Sequence, residues 1–268
     1  MKKLLWYLPI YIICVTASAQ APYAFAVYGY RDQGKDVFGW LNNPSALASL
    51  KKQGAGIYSE KKYMLEELNY YALAAAVNAA SGGFGFTMNY AGSTVYNETN
   101  IGVAYGRELA TGIDAGMKII WNRISIPGYG MASSFSVTAG ATCILSEKFR
   151  TGVFVDQPLR SKYGIEKTET SPAIYSLGFG YEASGKFYAG AEIKKRQGEP
   201  VAMLTGIRYS ILEQVRLDAG IEISNVNSYL GIHYLFRSMM LGLYTSYHMQ
   251  LGFTPGIMIS FQFNRKKT

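Results

Sequence analysis

From residue 53 onward apolar and polar side chains alternate with period two in run after run, and glycine recurs inside the runs in the polar phase. The glycines fall in spaced pairs: Gly102 with Gly116, Gly140 with Gly152, Gly178 with Gly190, Gly206 with Gly220, and Gly231 with Gly242. A short polar or charged break separates the members of each pair, which is the signature of a repeated hairpin. Folding residues 206–220 about Glu213 sets Gly206 opposite Gly220. It also places Val215, Leu217, Ala219, Ile221 and Ile223 on one face, with Arg216, Asp218, Glu222 and Ser224 on the other. Mid-strand glycine weakens a strand and marks close approach of another backbone. The ten glycines are therefore expected to form a belt on the inner wall of a closed sheet, seating something held inside.

The start of the chain says where such a sheet would be built. Lys2 and Lys3 precede an apolar run from Leu4 to Val15, and Ala17-Ser18-Ala19 follows, the pattern of a secretory signal peptide over residues 1–19. Ile13 is bulky where lipoprotein processing at Cys14 would need a small residue. Cleavage after Ala19 leaves Cys143 as the one cysteine, which excludes an intrachain disulfide and cysteine-rich metal sites. The formal charge of +8 is scattered apart from Arg265-Lys266-Lys267, so no nucleic-acid surface is expected.

No later segment reaches the roughly 20 apolar residues of a membrane-spanning helix. With 22 Tyr, 13 Phe and 29 Gly and only 16% charged residues, the alternating runs match a transmembrane β-barrel. Fourteen runs can be counted, at 53–62, 69–79, 82–92, 98–108, 112–124, 131–145, 149–159, 172–183, 186–196, 200–211, 214–224, 227–237, 239–250 and 253–264. In the last, Phe253, Ile257, Ile259, Phe261 and Phe263 are assigned to lipid and Thr254, Gly256, Ser260 and Gln262 to the lumen. Tyr90, Tyr105, Trp121, Tyr181, Tyr209 and Tyr234 fall on the lipid phase near strand ends, where interfacial girdles belong. An even strand number puts both barrel termini on one side, conventionally the periplasm.

Residues 20–52 show no long alternation. Asn43 can cap and Pro44 can open a short helix carrying Leu47 and Leu50. Fourteen strands about 4.8 Å apart enclose a lumen roughly 25 to 30 Å across, which side chains alone fill poorly. The segment is therefore expected to fold inward as a plug. The predicted organisation is a signal peptide (1–19), a plug (20–52), an all-β, 14-stranded antiparallel transmembrane barrel (53–264) and a short tail (265–268).

Ionisable residues on the lumen phase are Asp114, Lys118, Arg150, Asp156, Glu182, Glu192, Lys194, Arg208, Arg216, Asp218 and Glu222. Arg208 is expected directly opposite Asp218, within a network that includes Arg216 and Glu222. Mixed signs suit an ion-paired interior better than an ion-selective pore. His233 and His248 share the lumen phase but lie about seven residues apart along the wall, over ~20 Å, too far to share a metal. No nucleophile accompanies the lumen carboxylates, so neither an enzyme nor a cofactor is expected.

The Asn-Pro-Ser-Ala-Leu-Ala stretch at 43–48 is similar to the Asn-Pro-Ala-x-Leu hatch motif of the FadL-like outer-membrane barrels. That family includes the long-chain fatty acid transporters and the PorV and PorQ barrels of type IX secretion. The fourteen-strand count and N-terminal plug extend the resemblance over residues 20–263. It implies a bacterial outer-membrane protein, in contact with membrane lipid, with a plug motif at Asn43, Pro44 and Leu47. The fatty acid transporters carry large outer loops that form a binding groove, whereas the longest link here is about a dozen residues. The first expectation is therefore an accessory subunit of a larger secretion or assembly complex. A passive transporter of a hydrophobic ligand, with Tyr70, Tyr188, Tyr229 and Tyr244 facing the lumen, is the alternative, and a purely structural barrel is a third.

Overall fold

The computed structural model describes residues 27–31, 37–158, 162–163, 169–170, 172–224 and 227–263. The expected signal peptide and C-terminal tail lie outside the described residues, as do parts of the N-terminal segment.

Among the described residues sixteen strands form: β1 (Gln53–Lys61), β2 (Asn69–Ala79), β3 (Gly82–Gly92), β4 (Asn97–Ala110), β5 (Ile113–Ile126), β6 (Gly130–Ile144), β7 (Phe149–Asp156), β8 (Lys162–Tyr163), β9 (Glu169–Thr170), β10 (Ile174–Ser184), β11 (Phe187–Arg196), β12 (Val201–Ser210), β13 (Val215–Glu222), β14 (Asn227–Phe236), β15 (Met239–His248) and β16 (Gly252–Phe263). All but β8 and β9 join in sequence order into one closed antiparallel barrel. Pairing of Gln53 with Phe263 closes it and puts both barrel ends at the same rim. Each of the fourteen expected runs is one barrel strand. The two-residue β8 and β9 pair with each other in the longest outer link.

At the rim holding the termini, the links are two to four residues long. Thr111-Gly112 is typical, and Gly112 takes the left-handed conformation (φ 78°) that so short a connection needs. Opposite-rim links are longer on the whole; residues 62–68 hold two single-turn 3-10 helices, Lys62–Met64 and Glu66–Leu68.

Outside, Ile57, Val103, Ile119, Val153, Ile207, Ile221, Leu230 and Ile257 are exposed in an apolar belt. Burying a polar backbone in hydrocarbon is tolerable only if every peptide group is paired, and a closed barrel has no free edge. Tyr181, Tyr209 and Tyr234 are exposed on this same face. On β16, Phe253, Ile257, Phe261 and Phe263 point outward while Thr254 and Ser260 are buried within.

The described part of the N-terminal segment fills the lumen. Val27, Tyr30, Val37, Phe38, Trp40, Leu41, Leu47 and Leu50 are all buried there. The expected short helix is a single 3-10 turn, Pro44–Leu47, and Leu50 lies one turn beyond it, its amide bonded to the Leu47 carbonyl at 3.2 Å. A second such turn spans Val27–Tyr30.

Candidate functional site

The lumen wall and the segment it encloses meet at two anchors. At the first, Asn43 caps the Pro44–Leu47 turn: its Oδ1 accepts from the Ser45 amide at 3.1 Å and from Ser45 Oγ at 2.7 Å. Its Nδ2 donates to Thr142 Oγ1 on β6 at 3.4 Å, and Ser45 Oγ lies 2.6 Å from the same hydroxyl. One side chain thus shapes the turn and ties it to the wall. Glycine lets the turn sit this close. A Cβ on Gly106 or Gly116 would lie 2.6 or 2.5 Å from the Pro44 carbonyl oxygen, one on Gly140 would overlap Asn43 Oδ1, and one on Gly83 would overlap the Leu47 carbonyl.

The second anchor is Val27–Arg31 against β7 and β10–β12. The Tyr30 ring lies on Gly178 and Gly152, with no room for a Cβ on Gly178, and its hydroxyl donates to Glu192 Oε2 at 3.2 Å. Arg31 Nε pairs with Glu182 at 3.3 Å, and the Tyr188 hydroxyl donates to the Val27 carbonyl at 2.5 Å. Gly190 and Gly206 face Val27, where a Cβ would meet its carbonyl oxygen at 3.0 Å or its Cγ2 at 2.7 Å.

Six of the ten expected belt glycines, Gly116, Gly140, Gly152, Gly178, Gly190 and Gly206, thus face the N-terminal segment. The other four make room for the barrel's own lumen side chains: Gly102 for Thr87, Gly220 for Tyr229, and Gly231 and Gly242 for Tyr244. Gly54, Gly56, Gly83, Gly85, Gly106 and Gly180 face the segment too, and sequence reading missed them although they share the lumen phase. Of the facing pairs only Gly206–Gly220 is as expected. Gly116 instead faces Gly106 and Gly140, Gly152 faces Gly178, and Gly190 faces Gly180 and Gly206. Gly102 faces Ile120, Gly231 faces Tyr244 and Gly242 faces His233.

Between the anchors, lumen charges hold backbone and hydroxyl groups of the segment. Lys118 Nζ donates to the Leu41 carbonyl at 2.6 Å, and Asp114 accepts from Ser49 Oγ at 3.0 Å. Asn78 Nδ2 reaches the Leu50 carbonyl at 2.8 Å. Arg208 and Asp218 face each other as expected and pair through two hydrogen bonds of 2.6 and 2.5 Å. His233 joins them, with Nε2 2.9 Å from Asp218 Oδ2, a partner sequence reading did not assign. Arg216 and Glu222 line the same strand, β13. Arg216 faces His233 across the strand pair and its guanidinium reaches Met240 Sδ at 3.9 Å, while Glu222 sits four residues outward and accepts from Ser224 at 3.4 Å. His248 faces Asn227, far from His233 along β14. Among the described residues no three His, Cys, Asp or Glu side chains converge as a metal site.

Polar and apolar residues divide the lumen by sector. Most lumen charges lie on β5–β7 and β10–β13, with Glu60 on β1 and Glu98 on β4 outside that sector. From β14 around to β4 the wall offers Tyr229, Met240, Tyr244, Met258, Tyr58, Tyr70, Ala72, Ala74, Ala76 and Ala104, packed against Val37, Phe38, Trp40, Leu41, Leu47 and Leu50. This seam joins the two mouths. At the outer end Tyr58, Tyr229 and Tyr244 line a vestibule of about 90 Å³ with Glu60, Lys62, Tyr63, Asn227 and Thr254. At the inner end Met240 lines a cavity of about 180 Å³ with Lys52, Arg216 and Gln262. Partial burial, together with the carboxylates of Glu60 and Glu222, raises the Tyr63 phenol above its ordinary pKa, so it stays neutral. A third cavity, about 310 Å³ and almost wholly apolar, opens on the lipid face between β16 and β3, lined by Ile57, Tyr58, Leu73, Met88, Ile257 and Ile259.

Solved structures share this architecture. A FadL homologue of Pseudomonas aeruginosa superposes with a TM-score of 0.63 at 11% identity, over 91% of this chain and 97% of that one. The chain has the fold of the FadL-like outer-membrane barrels. The toluene transporter TodX of Pseudomonas putida gives 0.63 at 11% identity over 92% and 98%, and the toluene transporter TbuX of Ralstonia pickettii gives 0.62 at 9% over 91% and 98%. No family model and no curated protein sequence matches the chain. The FadL-like fold is thus reached here by a sequence about nine-tenths different from these barrels, and what is common is the fourteen-strand closure.

Proposed function

We propose that the chain is a passive outer-membrane channel for small hydrophobic molecules, that residues 20–52 act as its plug, and that no catalytic step is involved. The observation that carries this reading is the continuous apolar seam between plug and wall. It runs from the tyrosine-lined outer vestibule past Met258 to Met240 at the inner mouth; most lumen charges lie in the opposite sector, and those beside the seam, Glu60 and Lys62 outside and Lys52 and Arg216 inside, stand at its two mouths. An ion entering the seam would lose its hydration without finding a partner, whereas an apolar molecule exchanges contacts with side chains like itself. The wall beside the seam is paired without interruption from β16 through β1 to β2, so passage follows the plug and requires Phe38 and Trp40 to give way. Tyr58 lines both the vestibule and the apolar groove on the lipid face, which marks where a molecule in the seam comes nearest to the bilayer.

The accessory-subunit reading draws on the PorV-like resemblance and the short outer links; the similar solved structures named above include toluene transporters, and the seam gives that reading no support. Uptake decides between them. Intact cells carrying the protein should take up radiolabelled toluene faster than a deletion strain, with no change for a sugar of similar mass; equal toluene uptake in the two strains overturns the channel reading.

A further inference from the structure

We propose that the outer vestibule selects small aromatic molecules carrying a hydrogen-bond donor, such as a phenolic or benzylic hydroxyl, over purely apolar ones. This inference rests on the channel reading and names the substrate class of that site.

The rings of Tyr58, Tyr229 and Tyr244 form an aromatic enclosure, with Tyr58 edge-on to Tyr244 at 5.9 Å. Two of the polar groups within have acceptor capacity left. Asn227 is 7% exposed, and its Oδ1 is buried without a hydrogen-bond partner among the described residues. Glu60, equally enclosed, accepts from the Tyr58 hydroxyl at 2.7 Å and lies 3.8 Å from Lys62 Nζ, which leaves lone pairs on both oxygens. The Thr254 hydroxyl accepts from the Tyr63 amide at 2.9 Å. An amide oxygen buried without a partner is costly, and an incoming O–H or N–H removes that cost while the aromatic body fills the vestibule. The volume of about 90 Å³ suits a single ring. Such a site rejects an isostere lacking the donor more strongly than an apolar pocket rejects an added methyl group.

Three probes of one shape separate the possibilities: toluene with no polar group, p-cresol with a donor, and anisole with an acceptor only. Equilibrium dialysis of the purified full-length barrel in detergent should show p-cresol binding about tenfold tighter than toluene or anisole, the worth of one hydrogen bond to a buried polar group. In Asn227→Leu the p-cresol advantage over toluene should vanish. Equal binding of all three probes to the native protein overturns the inference, as does binding of none; both can be read without any variant. An advantage for anisole equal to that for p-cresol also overturns it, because an acceptor-only ligand needs the amide nitrogen turned inward. The channel reading fails separately, on toluene uptake by intact cells.

Discussion

Substituting Gly178 by leucine puts a side chain where the Tyr30 ring lies, since even a Cβ at that position overlaps ring atoms of Tyr30. The ring has no alternative seat on that wall, because Gly152 faces its other edge, where a Cβ would come within 2.9 Å of Cε1. Tyr30 is 1% exposed, and a tyrosine buries about 150 to 250 Å². At about 25 cal/mol per Å² the lost burial is about 5 kcal/mol, to which the lost hydrogen bond to Glu192 adds about 1 to 2 kcal/mol. The Asn43–Leu47 anchor rests on β3–β6 and does not touch Gly178, so the plug should open at one end only. Arg31, 6% exposed in the native protein, reports the opening. Trypsin should cleave after Arg31 on the order of ten-thousandfold or more faster in Gly178→Leu, because every ~1.4 kcal/mol of lost local protection is a factor of ten. Tyr30→Ala should do the same with Gly178 intact. The assay is time-resolved proteolysis read by mass spectrometry, on protein whose unheated electrophoretic mobility shows a folded barrel. Unchanged cleavage at Arg31 in a folded Gly178→Leu barrel would refute the seat.

Three further outcomes follow from the same geometry. Arg208→Met strands the buried Asp218 carboxylate and should destabilise the barrel by about 3 to 5 kcal/mol in denaturant titrations, with most of that recovered in Arg208→Met/Asp218→Leu; an additive double variant would contradict the pairing. Asn43→Ala removes the cap and the bond to Thr142, about 1 to 2 kcal/mol, and should raise hydrogen exchange at the Ser45 and Ala46 amides about tenfold without changing global unfolding. Ile119→Arg puts a charge on the exposed face midway along β5 and should cost about 2 to 4 kcal/mol in lipid; a neutral effect would mean that this face does not meet hydrocarbon.

The strands were legible because a wall with lipid on one side and plug on the other permits no side chain out of phase, so the period of two survives the length of the chain. Register was less legible, for an instructive reason. In three of the five glycine hairpins the observed pairing is centred one residue later than the polar break suggests, as where Gly180 rather than Gly178 faces Gly190, and in a fourth, where Gly102 faces Ile120, it is centred two residues later. Moving the centre by one residue moves the partner by two, which leaves every side chain on its face. Assignment to lumen or lipid therefore survived errors that scrambled the facing pairs. Bulges at Glu108/Ala110 and Glu182/Ser184 contribute to the shift. The anchor at Val27–Arg31 left no local signal, because its partners lie more than a hundred residues away and its own conformation is a single irregular turn. Asn43 and Pro44 could be read because a cap is local chemistry. The helix they open is a single 3-10 turn, Pro44–Leu47, which the cap residues alone do not specify.

The apolar seam as a route is tested most directly by soaking crystals of the native barrel with p-bromotoluene and locating bromine by its anomalous signal. Peaks are expected within the outer vestibule and along the seam, between Tyr58 and Tyr244 at one end and Met258 and Met240 at the other. Bromine found only on the outer lipid-facing surface, or among the charges of β5–β13, would contradict that route.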